Sequence, residues 1–309
     1  MTQLPLSDLD PQTDDGSPGP SAPRPSHGDS PRRRTWRAFR RNPLGMGSLI
    51  VMGIISVVAL AAPLIAEEPS GYSADVLVPP SSAHLFGTDS IGQDVFAQVV
   101  WGARTSLSVG LGASALAIVL GAAVGVGAAY FRKLDTALGI LIDVMLSLPV
   151  LPLMILVAAL VGPSVSMLVV VIAVFSWPEV ARVVRSQALP VVTLTYVSAA
   201  QVIGAPNHWV LVRHVLPAVT PVIAVSVVLT ASRAVLAEAG LSFLGLGDPT
   251  AWSWGTILFN SQRSGVLSSA WWTALFPSLA ILILVVAATL CSLGYNDARN
   301  PRTRGDSAR

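Results

Sequence analysis

The chain has 309 residues, of which 52% are apolar and only 12% charged, with a formal net charge of +2. A soluble domain of this size carries about 25% charged residues, so the composition excludes an ordinary soluble protein, and the near-neutral balance excludes the basic footprint of a nucleic-acid binder. The lone cysteine, Cys291, excludes an internal disulfide and a cysteine-only zinc cluster, and the lone lysine, Lys133, is not in the Gly-Lys-Ser/Thr context of a phosphate-cradling loop.

Residues 1–31 hold seven prolines and few large apolar side chains. Such a segment buries too little surface to offset chain entropy, which predicts a disordered tail. The basic run "RRRTWRAFRR" follows, and then an apolar stretch from Leu44 to Ala66 long enough to span a bilayer. A signal peptide is the competing reading, because Ala59-Leu60-Ala61 resembles a cleavage site. The stretch is long for that, and the first span of a multi-span protein has the same appearance. Five further apolar runs predict spans over Leu107–Tyr130, Ile140–Val161, Val165–Val184, Ala218–Ala239 and Ala274–Tyr295. Trp177-Pro178-Glu179 interrupts the fourth, where proline removes a backbone donor and predicts a kink. In the second span Ala113, Ala117, Gly121, Gly125 and Ala129 recur every four residues, giving one nearly smooth face for a closely approaching backbone. That face serves either ordinary helix packing or a working role, in which it packs against a partner or shifts.

Six spans place both termini on one side. Sixteen of the nineteen basic residues then fall on the side of the N-terminus, against Arg104 and Arg263 on the other, with Arg233 inside a span. The positive-inside rule predicts cytoplasmic termini and long external loops over about 67–106 and 240–273. It also makes "YVSAAQVIGAPNHWVLVRHVLP" (196–217) cytoplasmic. There "TYVSAAQVI" predicts a short helix stopped by Gly204 and Pro206, and a second helix over about Asn207–His214 leads to Leu216-Pro217 at the first turn of the fifth span. The result is a helix–turn–helix elbow: either Ala199 and Ala200 let its helix lie flush in a partner's groove, or the segment is an ordinary amphipathic loop.

Charges inside spans are costly and face a bundle interior or a cavity. Asp143, Arg233 and Glu238 lie within spans and Glu179 at a span end; Asp143 and Arg233 are expected to meet across helices, either beside a polar path through the bundle or as a structural ion pair. His84, Asp89 and Asp94 are what a metal reading would use, but one histidine and two carboxylates spread along a loop are a weak ligand pattern. Asp89 or Ser90 is expected instead to cap a short external helix leading into the second span. Trp252, Trp254, Trp271 and Trp272 fit an interfacial aromatic belt, and the glycines of "EAGLSFLGLG" (238–247) suggest a loop dipping into the outer membrane face.

The spacing of Ala199-Ala200, Gly204 and Leu216-Pro217 resembles the "EAA" loop of ABC-importer permeases, with Ser198 where the motif opens on Glu and His214 at a usually hydrophobic position. "HLFGTDSIGQDVF" (84–96), "GARTSL" (102–107), "EAGLSFLGLG" followed by Pro249 and Trp254-Gly255, and "WWTALFP" (271–277) are similar to the C-type dipeptide/oligopeptide/nickel permeases. Leu85 and Gln93 depart from a usual proline and arginine there. The resemblance covers about residues 36–302. It implies an all-α integral membrane protein: a type I ABC-importer permease bundle of six transmembrane helices with a cytoplasmic coupling helix. The corresponding division is a disordered cytoplasmic tail (1–35), a first helix with its external loop (36–106), a five-helix core (107–302, coupling loop about 186–217) and a C-terminal tail (303–309).

In such an importer Ser198, Ala199, Ala200, Gly204, Pro206, Leu216 and Pro217 form the ATPase-coupling loop, while Asp143, Glu179, Arg233 and Glu238 are candidates for the path. The resemblance further implies a second, homologous permease subunit, two ATP-binding subunits that hold ATP and Mg, an extracytoplasmic solute-binding protein and surrounding membrane lipid. No catalytic residue, metal or directly bound cofactor is expected. The solute is a di- or oligopeptide, with glutathione-type molecules or nickel chelates as alternatives. A secondary transporter or channel independent of ATPase subunits is the competing class, and it predicts repeat symmetry between the halves that is not visible here.

Overall fold

The computed structural model of the chain describes residues 31–299. The expected disordered tail therefore lies outside the described residues except for positions 31–35, which are helical, and so does the C-terminal tail 303–309. Among the described residues there is no strand beyond an isolated bridge between Thr88 and Asp94. Five helices are long and apolar enough to cross a membrane, and a bent helix pair makes a sixth span if counted as one.

The basic run forms α1, Pro31–Arg41, whose buried Phe39 reaches toward Tyr295 at the far end of the chain. Asn42 separates it from α2, Pro43–Leu60; its side-chain oxygen accepts from the Leu44 and Gly45 amides at 3.1 and 3.2 Å, an N-cap that satisfies two free donors. A break before Pro63 leaves α3, Ala62–Ile65, so the predicted first span ends as two pieces.

Helix α4, Val95–Tyr130, has 36 residues and starts a dozen positions earlier than the predicted second span. At 1.5 Å per residue it is about 54 Å long, well beyond a hydrocarbon core of about 30 Å. Its cap is Asp94, which accepts from the Phe96 and Ala97 amides. This corrects the expectation for Asp89 and Ser90. Asp89 instead ties a loop turn through the Ile91 and Gln93 amides, and no helix lies between α3 and α4.

The predicted third span is two helices, α5 (Arg132–Ser147) and α6 (Val150–Val161), meeting at 84°. Pro149 explains the break: it disfavours helical backbone at the residue before it, and Leu148 is extended. Helix α7, Val165–Val192, passes through Pro178 and Pro190 as a single helix and continues past the predicted end of the fourth span. The small-residue face of α4 packs against α7 inside this chain, the most extensive helix pair in the fold. A Cβ added at Gly121 would come within 2.6 Å of the Val180 Cβ, and one at Gly125 within 2.6 Å of the Ala181 carbonyl oxygen. With Ala113, Ala117 and Ala129 also buried, the face is internal packing and is not left for a partner.

Helix α8 (Thr195–Val202) and helix α9 (Asn207–Val210) form the elbow; a π-helical turn, Leu211–Val215, leads into α10, Leu216–Phe243. Helices α11, Trp254–Arg263, and α12, Trp272–Arg299, complete the bundle. "EAGLSFLGLG" does not dip as a loop: its first six residues finish α10, and only the Leu-Gly-Leu-Gly end turns toward α11.

At the end of the bundle away from the elbow, residues 66–94 form a cap held by indole donors. Trp272 donates to the Thr88 carbonyl at 3.0 Å and Trp252 to that of Pro69 at 3.2 Å, while Trp254 donates to the Val99 carbonyl in the first turns of α4 at 3.0 Å. Of the four tryptophans expected in an interfacial belt, only Trp271 is exposed. The others turn inward because an indole N–H near a loop finds a backbone acceptor there while its rings fill the core.

Candidate functional site

The elbow begins where α7 ends. Leu194 is extended and α8 starts at Thr195. The helix closes in a Schellman motif: the Gly204 amide donates to the Gln201 carbonyl and the Ala205 amide to that of Ala200, both at 3.0 Å. The motif requires left-handed backbone at position 204, where φ is +88°, and glycine supplies it without strain. Pro206 then forbids continuation and starts α9.

The expected second elbow helix and fifth span are not separated by a Leu-Pro stop. α9, the π turn and α10 run as one rod from Asn207 to Phe243. Pro217 removes a donor and crowds the preceding carbonyls. The wider π turn just ahead of it, with the Leu216 amide donating to the Leu211 carbonyl, absorbs that defect without a break.

The two faces of α8 differ. Inward, Val197 is fully buried with Val184, Ala188, Val210, Val215 and Val219, and Ala200 and Ala205 pack against this cluster. Tyr130, the last residue of α4, donates to the Asn207 side-chain oxygen at 2.9 Å and accepts from the Gln201 amide nitrogen at 3.2 Å. Both arms of the elbow are therefore tied to the end of α4. Outward, Ser198 and Ala199 are exposed, and the tip carries Val202 and Ile203 at 88% and 86% exposure. Tyr196, Trp209 and Val212 extend this apolar surface, and exposed apolar patches rimmed by polar groups mark contact sites.

Tyr130→Phe removes the hydroxyl that serves both arms. Two hydrogen bonds contribute about 2 kcal/mol together, so amide exchange over residues 195–210 is expected to accelerate while exchange within α4 and α7 stays unchanged. Unaltered exchange in the elbow would show that Tyr130 is no anchor.

The charges pair differently from the sequence expectation. Asp143 bonds to Arg182, and Asp135 to Arg185 at 2.7 Å, both between α5 and α7. Arg233 pairs with Glu179, linking α10 to α7. The expected Asp143–Arg233 contact is absent because α5 packs on α7, where Asp143 meets Arg182. Glu179 and Arg233 stand in a groove of about 420 Å³ that Gln187, Ser226, Thr230 and Asn296 also line. Glu238 is elsewhere: it is 1% exposed and accepts from the Ser106 hydroxyl at 2.9 Å and the Ser242 hydroxyl at 2.7 Å, so it joins α4 and α10 inside the bundle. His84 bonds to Asp94 at 3.0 Å within the cap.

The family model for binding-protein-dependent transport system inner membrane components matches residues 83–305, and that for the N-terminal TM domain of oligopeptide transport permease C matches residues 30–80. This chain belongs to the family of ABC-importer permeases. A Brucella abortus protein named as a peptide transport system permease is 36% identical over 283 residues, covering 91% of this chain and 95% of its own. The dipeptide transport system permease protein DppC of Alkalihalophilus pseudofirmus is 33% identical, with coverage of 93% and 96%. The glutathione transport system permease protein GsiD of Pectobacterium atrosepticum is 34% identical, with coverage of 89% and 92%.

A permease of this family is a multi-pass inner membrane protein and not an enzyme; ATP is hydrolysed by separate components of the importer. Sequence reasoning placed the elbow but missed its tip and its anchor. "QVIG" carried a signal for the tip, since two apolar residues just before a C-capping glycine sit at the turn. Tyr130 carried none, because it ends an apolar run 71 and 77 residues away in sequence from the groups it holds.

Proposed function

We propose that this permease carries small peptides, glutathione-like molecules included, into the cell, with its termini and elbow in the cytoplasm. The elbow, built on Ser198, Ala199, Ala200, Gly204, Pro206, Leu216 and Pro217, seats in an ATP-binding partner. The assembly contains a second homologous permease, two ATP-binding subunits holding ATP and Mg, and an external solute-binding protein that docks over the cap. ATP-driven closure of the two elbows turns the path between its inward and outward openings, and the rods α7 and α9–α10 carry the motion because the elbow is continuous with both.

The observation that carries this reading is the exposed Val202–Ile203 tip on an elbow whose opposite face is locked to α4 and α7. The solute class is supported by the relatives named for peptide, dipeptide and glutathione transport. The test is dipeptide uptake in proteoliposomes. Uptake is expected only with both permeases, the ATP-binding subunits, the loaded binding protein and ATP; accumulation that persists without the ATP-binding subunits would favour a channel or secondary carrier instead.

A further inference from the structure

Glu179 lies near the middle of α7 and Arg233 about 15 Å inside the end of α10 at helical rise. Both are therefore at membrane depth, yet their side chains are 55% and 64% exposed. Charges so placed are not turned toward acyl chains; they face a cavity or another polar surface. The surrounding side chains agree. Ser226 and Thr230 share the face of α10 with Arg233, and Gln187 lies two turns beyond Glu179 on α7. Together with Asn296 they make a polar lane running from the ion pair toward the elbow end, flanked by valines and a leucine. Its volume of about 420 Å³ is within the range of small-molecule sites.

We infer that the Glu179–Arg233 pair is the point in the path where the two charged ends of a zwitterionic solute are recognised. This rests on the reading of the chain as a peptide permease and specifies the chemistry it selects. The guanidinium presents a planar fork of donors that matches a carboxylate, and the carboxylate of Glu179 accepts from an ammonium group. A zwitterion exchanges one ion pair for two, so no charge is left alone at low dielectric. A solute with one charged end strands either Glu179 or Arg233 and is disfavoured. The amide-lined, valine-flanked remainder of the lane suits a short backbone with small side chains.

The assembled transporter tests this with a thiol placed in the lane. Cys291, buried in α12, is replaced by serine and Ser226→Cys supplies the thiol. Alkylation of this chain is followed by mass while ATP and vanadate hold the complex, with binding protein, in mid-cycle. A millimolar mixture of dipeptides with neutral side chains is expected to slow alkylation at least about five-fold, and the same dipeptides as C-terminal amides less than about two-fold, a contrast of more than 0.5 kcal/mol on the tenfold-per-1.4 scale. Arg233→Lys keeps the protection and Arg233→Gln abolishes it; Glu179→Gln replaces the latter if that variant does not assemble. Protection that survives loss of either charge overturns the inference, as does absence of protection in a complex that still takes up dipeptides with ATP. Loss of ATP-driven uptake altogether is the distinguishable result that removes the permease reading beneath it.

Discussion

Val202→Asp with Ile203→Asp is expected to reduce ATP-driven uptake at least about thirty-fold, the loss that about 2 kcal/mol at an interface hot spot produces. The two side chains are almost fully exposed and touch nothing that holds the elbow together. Aspartate at these positions therefore leaves α8, its Schellman closure and the Tyr130 anchor intact while placing two charges on the surface proposed to dock the ATP-binding partner. Ala199 and Ala200 are less clean probes. Ala199 is exposed, but Ala200 packs against the Val197–Val210–Val215 cluster, so a bulky residue there deforms the elbow before any partner meets it. The measurement is uptake together with retention of the ATP-binding subunits on gel filtration. Full uptake by the double aspartate variant would mean that the tip is not the docking surface.

Glu238→Ala is expected to have the largest effect on folding. The carboxylate receives hydroxyl donors from Ser106 of α4 and Ser242 of α10, and the Ser106 oxygen in turn accepts from the Trp254 amide of α11 at 3.2 Å. One side chain thus closes a three-helix polar node that is buried from water. Truncation leaves hydroxyls without their acceptor and a void beside them, a loss of about 3 kcal/mol. Glu238→Gln keeps the volume and one acceptor and is expected to cost about 1 kcal/mol. Heat-induced loss of folded chain in detergent ranks the variants; an alanine variant as stable as the parent would remove Glu238 from the architecture. Transport by the glutamine variant is expected near normal, because the glutamine keeps the volume and one acceptor of this buried node.

The expectations that held share a physical basis. Long apolar runs must be helical in a bilayer, since no other open structure satisfies its own backbone there, and this made the spans legible. Gly204 followed by Pro206 ended α8 where expected, because left-handed backbone and a missing donor act within a few residues. The break between α5 and α6 was as local as these, carried by Leu148-Pro149, and a reading by hydropathy alone passed over it.

The charges failed as sequence expectations for a different reason. Whether Arg233 meets Asp143 or Glu179 depends on how α7 and α10 are rotated about their axes, and the valine side chains that set the rotation come from helices far apart in sequence. The tryptophans behaved likewise: their apolar rings predict an interface, but the backbone acceptors at Thr88 and Pro69 in the cap and at Val99 in α4 are brought beside them only by the folded chain.

The amino-acid sequence by itself determined that this protein spans a membrane, contains no nucleotide-cradling loop and bears an elbow with glycine and proline at its turn, because each of these follows from composition or from neighbours a few residues away. Only the tertiary structure decided which charges pair, that Glu238 is a buried strut and Glu179–Arg233 an open pair, and that the elbow's inner alanine belongs to the core while its tip faces outward. Those outcomes depend on the rotation and depth of packed helices, and the close α4–α7 contact at Gly121 and Gly125 sets these through atoms that no short stretch of chain contains together.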